Sequence, residues 1–476
     1  MNRAGALRIG RRSTVFIVGI VAGVMLASQA SFASPASKLW IERYDGPAGG
    51  GDSAYALGVS PDGSTVFAAG NSTGSRGDLD YAAVAYDASA GTKLWARRYD
   101  GPASPAKSTD GVNALAVDPD GSSVYITGNS TGTDTGFDYA TVALDARTGS
   151  KLWIKRYDSG AHLFDGANDV EVSPDGSGVY VTGSSIGTKG ADYATVAYDA
   201  LTGSKLWVSR HDGPANDSDS SFALAVSPDS SVVYVTGGSV GLTSGQSYAT
   251  VAYDASDGSE LWVKRYDGPL DGSDLATAMD MSPDGTALYV TGASAGLDSG
   301  TDYATVAYDA SNGSKLWAKR YNGPGNSTDR PDVLGVSPDG SAVYVTGFST
   351  GSSDELDYAT VAYRASTGST LWTQRYDGPA GGGDVANALG IAHDGSAIYV
   401  TGQSAGSSGY VDYATVAYDA STGSELWAKR YDGPTNGNDV AHALGVSPIN
   451  AIVYVTGGAD IGSGSADFAT IAYSTA

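Results

Sequence analysis

The chain of 476 residues contains no cysteine, and this absence removes several kinds of chemistry. It excludes disulfides, thiolate metal sites, cysteine nucleophiles and lipid attachment at a cysteine. Basic residues are also scarce, since 28 lysines and arginines face 52 aspartates and glutamates, for a formal net charge of −24. A chain this acidic cannot neutralise a row of phosphates, so we expect no nucleic-acid partner.

Long apolar runs are also missing, apart from one short run near the N-terminus. Four arginines within the first twelve residues precede an apolar stretch at 15–27, and Ser-Phe-Ala at 31–33 fits a small-x-Ala cleavage site. This order is typical of a secretory signal peptide. The stretch is shorter than the roughly 20 residues of a membrane span, although an uncleaved anchor is the alternative. We therefore predict a signal peptide at 1–33 and a mature chain without a membrane span, secreted to the extracellular space or the periplasm.

The feature that dominates the rest of the chain is repetition. The eight tryptophans recur every 54 to 58 residues, from Trp40 to Trp427, each in a phrase such as Leu-Trp-Ala-Lys-Arg-Tyr-Asp-Gly-Pro. Each unit then carries phrases close to Ser-Pro-Asp-Gly, Val-Tyr-Val-Thr-Gly and Asp-Tyr-Ala-Thr-Val-Ala-Tyr-Asp. Eight units of about 55 residues fill 34–476 as a single domain.

Each unit predicts four antiparallel strands. Val, Tyr, Thr and Trp dominate its short runs, and Gly, Pro, Asp and Ser separate them, with Pro-Asp-Gly as a tight-turn signal. Four strands in about 55 residues is typical of a β-propeller blade, with a solenoid as the alternative. We therefore predict an all-β, eight-bladed β-propeller.

The two ends of the repeat array predict how the ring closes. The array opens with a lone tryptophan strand at 38–45 and ends after the Asp-Phe-Ala-Thr-Ile-Ala-Tyr strand, without a tryptophan strand of its own. We expect residues 38–45 to pair with 466–474 and to complete the last blade. This pairing would remove both free sheet edges and favours a monomer.

Two repeat signatures occur together in each unit. The segment from Ala417 to Trp427 resembles the repeat of pyrroloquinoline-quinone (PQQ) type propellers, and the segment from Ser337 to Gly347 resembles the YVTN-type repeat of surface-layer and lactonase-like propellers. The PQQ resemblance implies a tryptophan docked onto the neighbouring blade. Quinoprotein dehydrogenases of that family carry a vicinal cysteine pair and a calcium-linked cofactor. Because this chain has no cysteine, we expect no PQQ and no other cofactor except a possible Ca²⁺.

Repetition separates scaffold residues from candidate site residues. An aspartate opens the first strand of every unit, and two interpretations stay open. Short acidic side chains bind turn amides, but a ring of carboxylates around one mouth could hold Ca²⁺. The eight candidate metal ligands are Asp52, Asp110, Asp165, Asp219, Asp274, Asp329, Asp384 and Asp439.

Departures from the repeat give the ligand-binding candidates. Six residues after that aspartate most units hold Gly or Ala, but two hold Glu171 and Asp280. A carboxylate pair can transfer protons or bind a cation, unless the two substitutions are only drift. Three residues after the aspartate lies a variable set that could line a ligand pocket or a loop edge. The candidates taken from this variable set are Tyr55, Phe222, Asp332 and His442.

Nothing in the pattern predicts a catalytic residue. The four histidines are scattered, and the loops have nearly equal lengths in all units. Near-symmetry favours a non-catalytic binding scaffold for a protein or a cell-surface polymer. The alternatives are a quinoprotein-type or lactonase-like enzyme with a site in the central channel, and a structural protein of the surface layer.

Overall fold

A computed structural model of the chain describes residues 36–103, 108–133, 136–187, 189–242, 245–270, 272–297, 300–462 and 464–475. The predicted signal peptide at 1–33 lies outside the described residues. The described residues form strands and turns without a helix, and consequently none of them belongs to a helix that could cross a membrane.

The strands group into eight four-stranded antiparallel sheets. Blades 1 to 4 contain β2 (Asp52–Val59), β3 (Thr65–Thr73), β4 (Leu79–Asp87), β5 (Lys93–Tyr99); β6 (Asp110–Val117), β7 (Ser123–Thr131), β8 (Phe137–Asp145), β9 (Lys151–Tyr157); β10 (Asp165–Val172), β11 (Gly178–Ile186), β12 (Ala191–Asp199), β13 (Lys205–His211); β14 (Ser220–Val226), β15 (Val232–Val240), β16 (Gln246–Asp254) and β17 (Glu260–Tyr266).

Blades 5 to 8 follow the same order. They contain β18 (Leu275–Met281), β19 (Ala287–Ala295), β20 (Thr301–Asp309), β21 (Lys315–Tyr321); β22 (Asp329–Val336), β23 (Ala342–Thr350), β24 (Leu356–Arg364), β25 (Thr370–Tyr376); β26 (Asp384–Ile391), β27 (Ala397–Ala405), β28 (Val411–Asp419), β29 (Glu425–Tyr431); β30 (Asp439–Val446), β31 (Ile452–Gly462), β32 (Ser465–Ser474) and, as the outer strand of blade 8, β1 (Lys38–Tyr44).

The first strands of the blades form a closed ring. Each contacts the first strand of the next blade, and β30 of blade 8 contacts β2 of blade 1. These eight strands therefore surround the central channel. The chain crosses from blade to blade on one face of the ring, here called the connecting face, and the Ser-Pro-Asp-Gly turns lie on the opposite turn face. The prediction of an eight-bladed propeller is confirmed.

The predicted closure is also confirmed. Strand β1 pairs antiparallel with β32, so that Trp40 lies opposite Ala472 and Tyr44 opposite Phe468. Both aromatic residues of β1 are buried, and they pack between blades 8 and 1 against Tyr86. The last sheet therefore holds the two ends of the array together through main-chain hydrogen bonds and a shared apolar core.

Repeated tryptophans join neighbouring blades. The indole of Trp95 donates to the carbonyl oxygen of Ala146 in the next blade at 2.9 Å, and its ring packs against Phe67. The turn glycine Gly149 lies against the same ring, where an added Cβ would approach to 2.6 Å, and its φ is +67°. A side chain at this glycine would clash and be strained, which explains a Thr-Gly turn beneath the tryptophan.

Candidate functional site

The eight aspartates that open the first strands lie at the connecting face, and each is 0 or 1% exposed. Asp52 accepts hydrogen bonds from the amides of Gly46 and Thr73, at 2.6 and 2.9 Å. Asp384 does the same with Gly378 and Ala405, at 2.6 and 3.0 Å. Each carboxylate therefore ties the incoming loop to the end of the second strand in its own blade.

These aspartates meet other acids rather than one another. Groups of three carboxylates with oxygens within 4.8 Å combine one of the eight with an aspartate of the preceding Tyr-Asp-Gly loop and one of the third strand. Four such groups are Asp45–Asp52–Asp467, Asp138–Asp158–Asp165, Asp192–Asp212–Asp219 and Asp357–Asp377–Asp384. Separate acidic groups at separate blade junctions thus replace the single convergent ring that the sequence suggested.

Arginines offset the negative charge of most of these acidic groups. The arginine three residues after the tryptophan pairs with the third-strand aspartate, as Arg375 does with Asp357 at 2.6 Å. Six described blades hold this ion pair, with N–O distances of 2.6 to 2.8 Å. Both partners are largely buried, so water screens the pair less than it would at the surface.

The inner strands are joined through the position three residues after the opening aspartate. In four blades this side chain donates to a carbonyl oxygen of the next blade's first strand. The donors are Asn113, Asn168, Thr277 and Asn387, at 2.7 to 2.8 Å. Sequence comparison of the units identified this position as variable, but its bridging role depends on the neighbouring blade.

The other four blades lack this bridge, and at the same position they hold four of the six ligand-binding candidates. Tyr55 and His442 lie side by side at the junction of blades 1 and 8, with ring centroids 4.8 Å apart. Phe222 of blade 4, across the ring, is 36% exposed. Asp332 of blade 6 pairs with Arg330 at 3.1 Å, and burial raises the pKa of this carboxyl to about 6. Burial lowers the pKa of His442 to about 4, which keeps its ring neutral at physiological pH.

The position six residues after the opening aspartate faces the next blade. A Cβ added to Gly58 would meet Leu115 and Val117, which explains the small residue there. Asp280 occupies the same position in blade 5, and its carboxylate accepts a hydrogen bond from the amide of Val336 in the next blade at 2.8 Å. Glu171, by contrast, has an exposed side chain between buried Val170 and Val172, and so reaches the channel water.

A third carboxylate joins these two, and the sequence reasoning missed it. Asp169 accepts from the amides of Val170 and Leu224, both at 2.9 Å, and thereby links blades 3 and 4. The sequence does mark Asp169 as a departure from the repeat, because the other units hold Ala or Val at this position. The surrounding strands raise the pKa of Asp169 to about 7 and of Asp280 to about 6. Although the side chain of Glu171 is open to channel water, the surrounding channel walls displace much of the water near it, and this desolvation, with repulsion from Asp169 and Asp280, raises its pKa to about 8.

The channel therefore combines an acidic arc with aromatic side chains. Glu171 and Asp169 lie on blade 3 and Asp280 on blade 5, and both aspartates are near enough to Glu171 to raise its pKa by repulsion. Among the described residues, none of the three carboxylates forms an ion pair. A cationic ligand would relieve this repulsion and displace few strong contacts. The arrangement can hold a positive group, and the raised pKa values also suit proton transfer.

Clefts between neighbouring blades open on the turn face. One, of about 430 Å³, lies between blades 2 and 3 and includes Tyr125, Leu152 and Leu201. An equivalent cleft of about 530 Å³ lies between blades 6 and 7 and includes Tyr344 and Leu371. Because these clefts repeat with the blades, they belong to the scaffold rather than to a unique site.

The fold, the tryptophan docking and the repeat unit together define an eight-bladed propeller of the PQQ-like class. The family model described as outer membrane protein assembly factor BamB matches residues 82–345 and 193–447. The chain therefore belongs to this family of PQQ-like repeat propellers, as the sequence resemblance predicted. A search of the curated proteins found no match.

Solved structures with the same fold are distant in sequence. BamB from Moraxella catarrhalis is 18% identical with a TM-score of 0.52, and the match covers 92% of this chain and 99% of that one. Sqt1 from Chaetomium thermophilum, bound to the N-terminus of the ribosomal protein L10, is 14% identical with a TM-score of 0.59, covering 92% and 100%. Quinohemoprotein alcohol dehydrogenase from Comamonas testosteroni is 14% identical with a TM-score of 0.55, covering 92% and 76%. At these identities the likeness shows the fold alone.

Proposed function

We propose that this chain is an exported, non-catalytic binding propeller that holds a lysine- or arginine-rich segment of a partner protein at its channel. The observation that carries the proposal is the acidic arc of Asp169, Glu171 and Asp280, which departs from the repeat and lies in the channel. The net charge of −24 would attract such a segment from a distance.

A protein partner is favoured over a polymer for two reasons. At the blades without the bridge, the adjacent rings of Tyr55 and His442 and the partly exposed ring of Phe222 offer apolar surface that suits the side chains of a peptide. The solved Sqt1 propeller is bound to the N-terminal segment of another protein, and the BamB description names an assembly factor. By analogy of fold, we propose the same kind of use here.

The proposed location is outside the cytoplasm, after removal of residues 1–33, and the proposed state is a monomer. Strand β1 pairs with β32 and completes blade 8, so the edge of β32 is not free to pair with a second copy. Size-exclusion chromatography of the secreted chain with light scattering tests the state, and N-terminal sequencing tests the cleavage.

The binding test uses variants that the repeat itself supplies. Glu171→Ala and Asp280→Gly restore residues found at the same position in other blades, such as Ala116 and Gly335. The control pair, Asp257→Asn and Asp354→Asn, removes the same charge from exposed turns. Fluorescence anisotropy would follow a labelled lysine-rich peptide at low and high salt.

We expect the channel pair to weaken peptide affinity by at least about tenfold and the control pair by little. Equal affinities for the two pairs, or no binding by the native chain, would refute the proposal. An absorbance scan of the native secreted protein tests the quinoprotein alternative, which would show a bound quinone. The carboxyl groups with pKa values near neutrality favour the enzyme alternative more than any other feature does.

A further inference from the structure

A second acidic group stands apart from the repeated ones at the junction of blades 1 and 2. Asp78, Asp80 and Asp100 place carboxylate oxygens within 4.8 Å of one another. Asp80 and Asp100 belong to the repeat, but Asp78 does not. Four other units hold glycine at its position: Gly136, Gly190, Gly245 and Gly300.

The added carboxylate is buried without a partner. Asp78 is 7% exposed, and its Oδ2 atom has no hydrogen-bond donor among the described residues. Asp80 is 6% exposed, and its Oδ1 atom is likewise unpartnered there. Buried charged oxygens without partners are costly, so their presence at one point indicates that a ligand is missing.

The nearby arginines do not complete the group. Arg98 binds Oδ2 of Asp80 at 2.6 Å but leaves Oδ1 free. Arg76 approaches Asp100 only to 4.0 Å, and both side chains are exposed to water. A fourth acid, Asp110, is close enough to raise the pKa of Asp100, after the effects of desolvation and Asp78. Four carboxylates therefore face two guanidinium groups.

We propose that Asp78, Asp80 and Asp100 form a calcium-binding site that fastens blade 1 to blade 2 at the connecting face. The oxygens lie within 4.8 Å of one another, so small side-chain rotations would bring all three to about 2.3 to 2.6 Å from one central ion, the usual range for Ca²⁺. The donors are all carboxylates, which Ca²⁺ prefers, and no nitrogen or sulfur ligand is present in this group. Asp78 and Asp80 belong to the third strand of blade 1 and its loop, while Asp100 begins the passage to blade 2.

This site is independent of the channel and of the proposed binding function. It uses none of the channel carboxylates, so a failure of peptide binding leaves it untouched. Its residues also differ from the eight opening aspartates, whose oxygens accept main-chain amides. Among the other acidic groups, that of Asp192, Asp212 and Asp219 is the matched comparison, because Arg210 pairs with Asp192 and the amides of Gly213 and Val240 bind Asp219.

The test compares the native mature chain with Asp78→Gly, freed of metal with a chelator. Glycine is the natural residue of the repeat at this position, so the variant should fold; Asp78→Asn serves as a second variant. Calorimetric titration with CaCl₂ and thermal melting with and without about 10 mM Ca²⁺ are the two readouts. Asp212→Asn, which removes one acid from the comparison group, is the control.

For the native chain and the Asp212→Asn control we expect binding of calcium with a Kd on the order of 10⁻⁴ to 10⁻³ M and a rise in Tm of about 2 to 4 °C. Asp78→Gly should lose both, with at least tenfold weaker binding, and should melt no lower than the native chain when calcium is absent. Absence of calcium binding by the native chain, or an unchanged response of Asp78→Gly, would overturn the proposal.

Discussion

The indole nitrogen of Trp40 donates to the carbonyl oxygen of Ala88 at 3.0 Å, across 48 positions of the sequence. Trp40 belongs to the outer strand of blade 8, while Ala88 directly follows the third strand of blade 1. One short strand thus contacts both sides of the junction at which the ring closes. The same contact recurs at six other junctions, for example from Trp317 to Ala365 at 2.7 Å, but Trp427 lacks it among the described residues.

Deletion of residues 38–45 should destabilise the ring strongly. It removes the β1–β32 ladder, the buried rings of Trp40 and Tyr44, and the cover of the β32 edge. We expect a large drop in Tm and self-association through the exposed edge. The control replaces the exposed loop residues 352–355 with Asn-Gly. Equal Tm values for the two variants, measured by differential scanning calorimetry, would contradict the closure argument.

The indole hydrogen bond can be measured apart from the burial of the ring. Trp317→Phe and Trp427→Phe remove similar buried volumes, but only Trp317 has a hydrogen-bond partner for its indole nitrogen among the described residues. We expect Trp317→Phe to lose about 1 kcal/mol more unfolding free energy than Trp427→Phe in denaturant titrations. Equal losses would show that the bond contributes nothing net.

The sequence predicts the parts of this molecule that repeat and fails where two blades meet. Strand type, blade number and the closure by β1 follow from phrases that recur with a fixed spacing. The partners of Asn113 and Asp169 lie 54 and 55 positions away, so the unit alone could not reveal them. The group around Asp78 had a signal, an acid in place of glycine. Its meaning depends on Asp100, which only the fold brings near.

The arginine three residues after each tryptophan should stabilise its blade more strongly where it makes more hydrogen bonds and ion pairs. Arg375 binds Asp357 at 2.6 Å, the carbonyl oxygen of Ser349 at 2.8 Å and the hydroxyl of Tyr321 at 3.1 Å. Lysine cannot reproduce this planar set of donors, so Arg375→Lys should cost about 1 to 3 kcal/mol.

The control for this change is Arg43→Lys. In the described contacts Arg43 binds only the hydroxyl of Tyr431, and Asp467 keeps an unpartnered oxygen. The loss of unfolding free energy should therefore be smaller than for Arg375→Lys. If Arg43→Lys destabilised the chain as much, the third-strand ion pair would not be the source of the effect.

The channel carboxylates should make the metal-free protein more stable in mild acid than at pH 8. Desolvation raises the pKa of Glu171 to about 8, of Asp169 to about 7 and of Asp280 to about 6. The folded state therefore binds protons that the unfolded chain has already released, and stability falls as the pH rises from about 5 to 8.

The aspartates of the Ser-Pro-Asp-Gly turns set the lower limit of the pH range in which the protein is most stable. Hydrogen bonds from Ser60 and Ser64 lower the pKa of Asp62, so stability from such groups is lost only in stronger acid, below about pH 4. Melting curves in a chelating buffer should give the highest Tm near about pH 5. Glu171→Gln with Asp280→Asn removes two of the titrating groups and should flatten the decline between pH 5 and 8. An unchanged slope in this variant would place the pH dependence elsewhere in the ring.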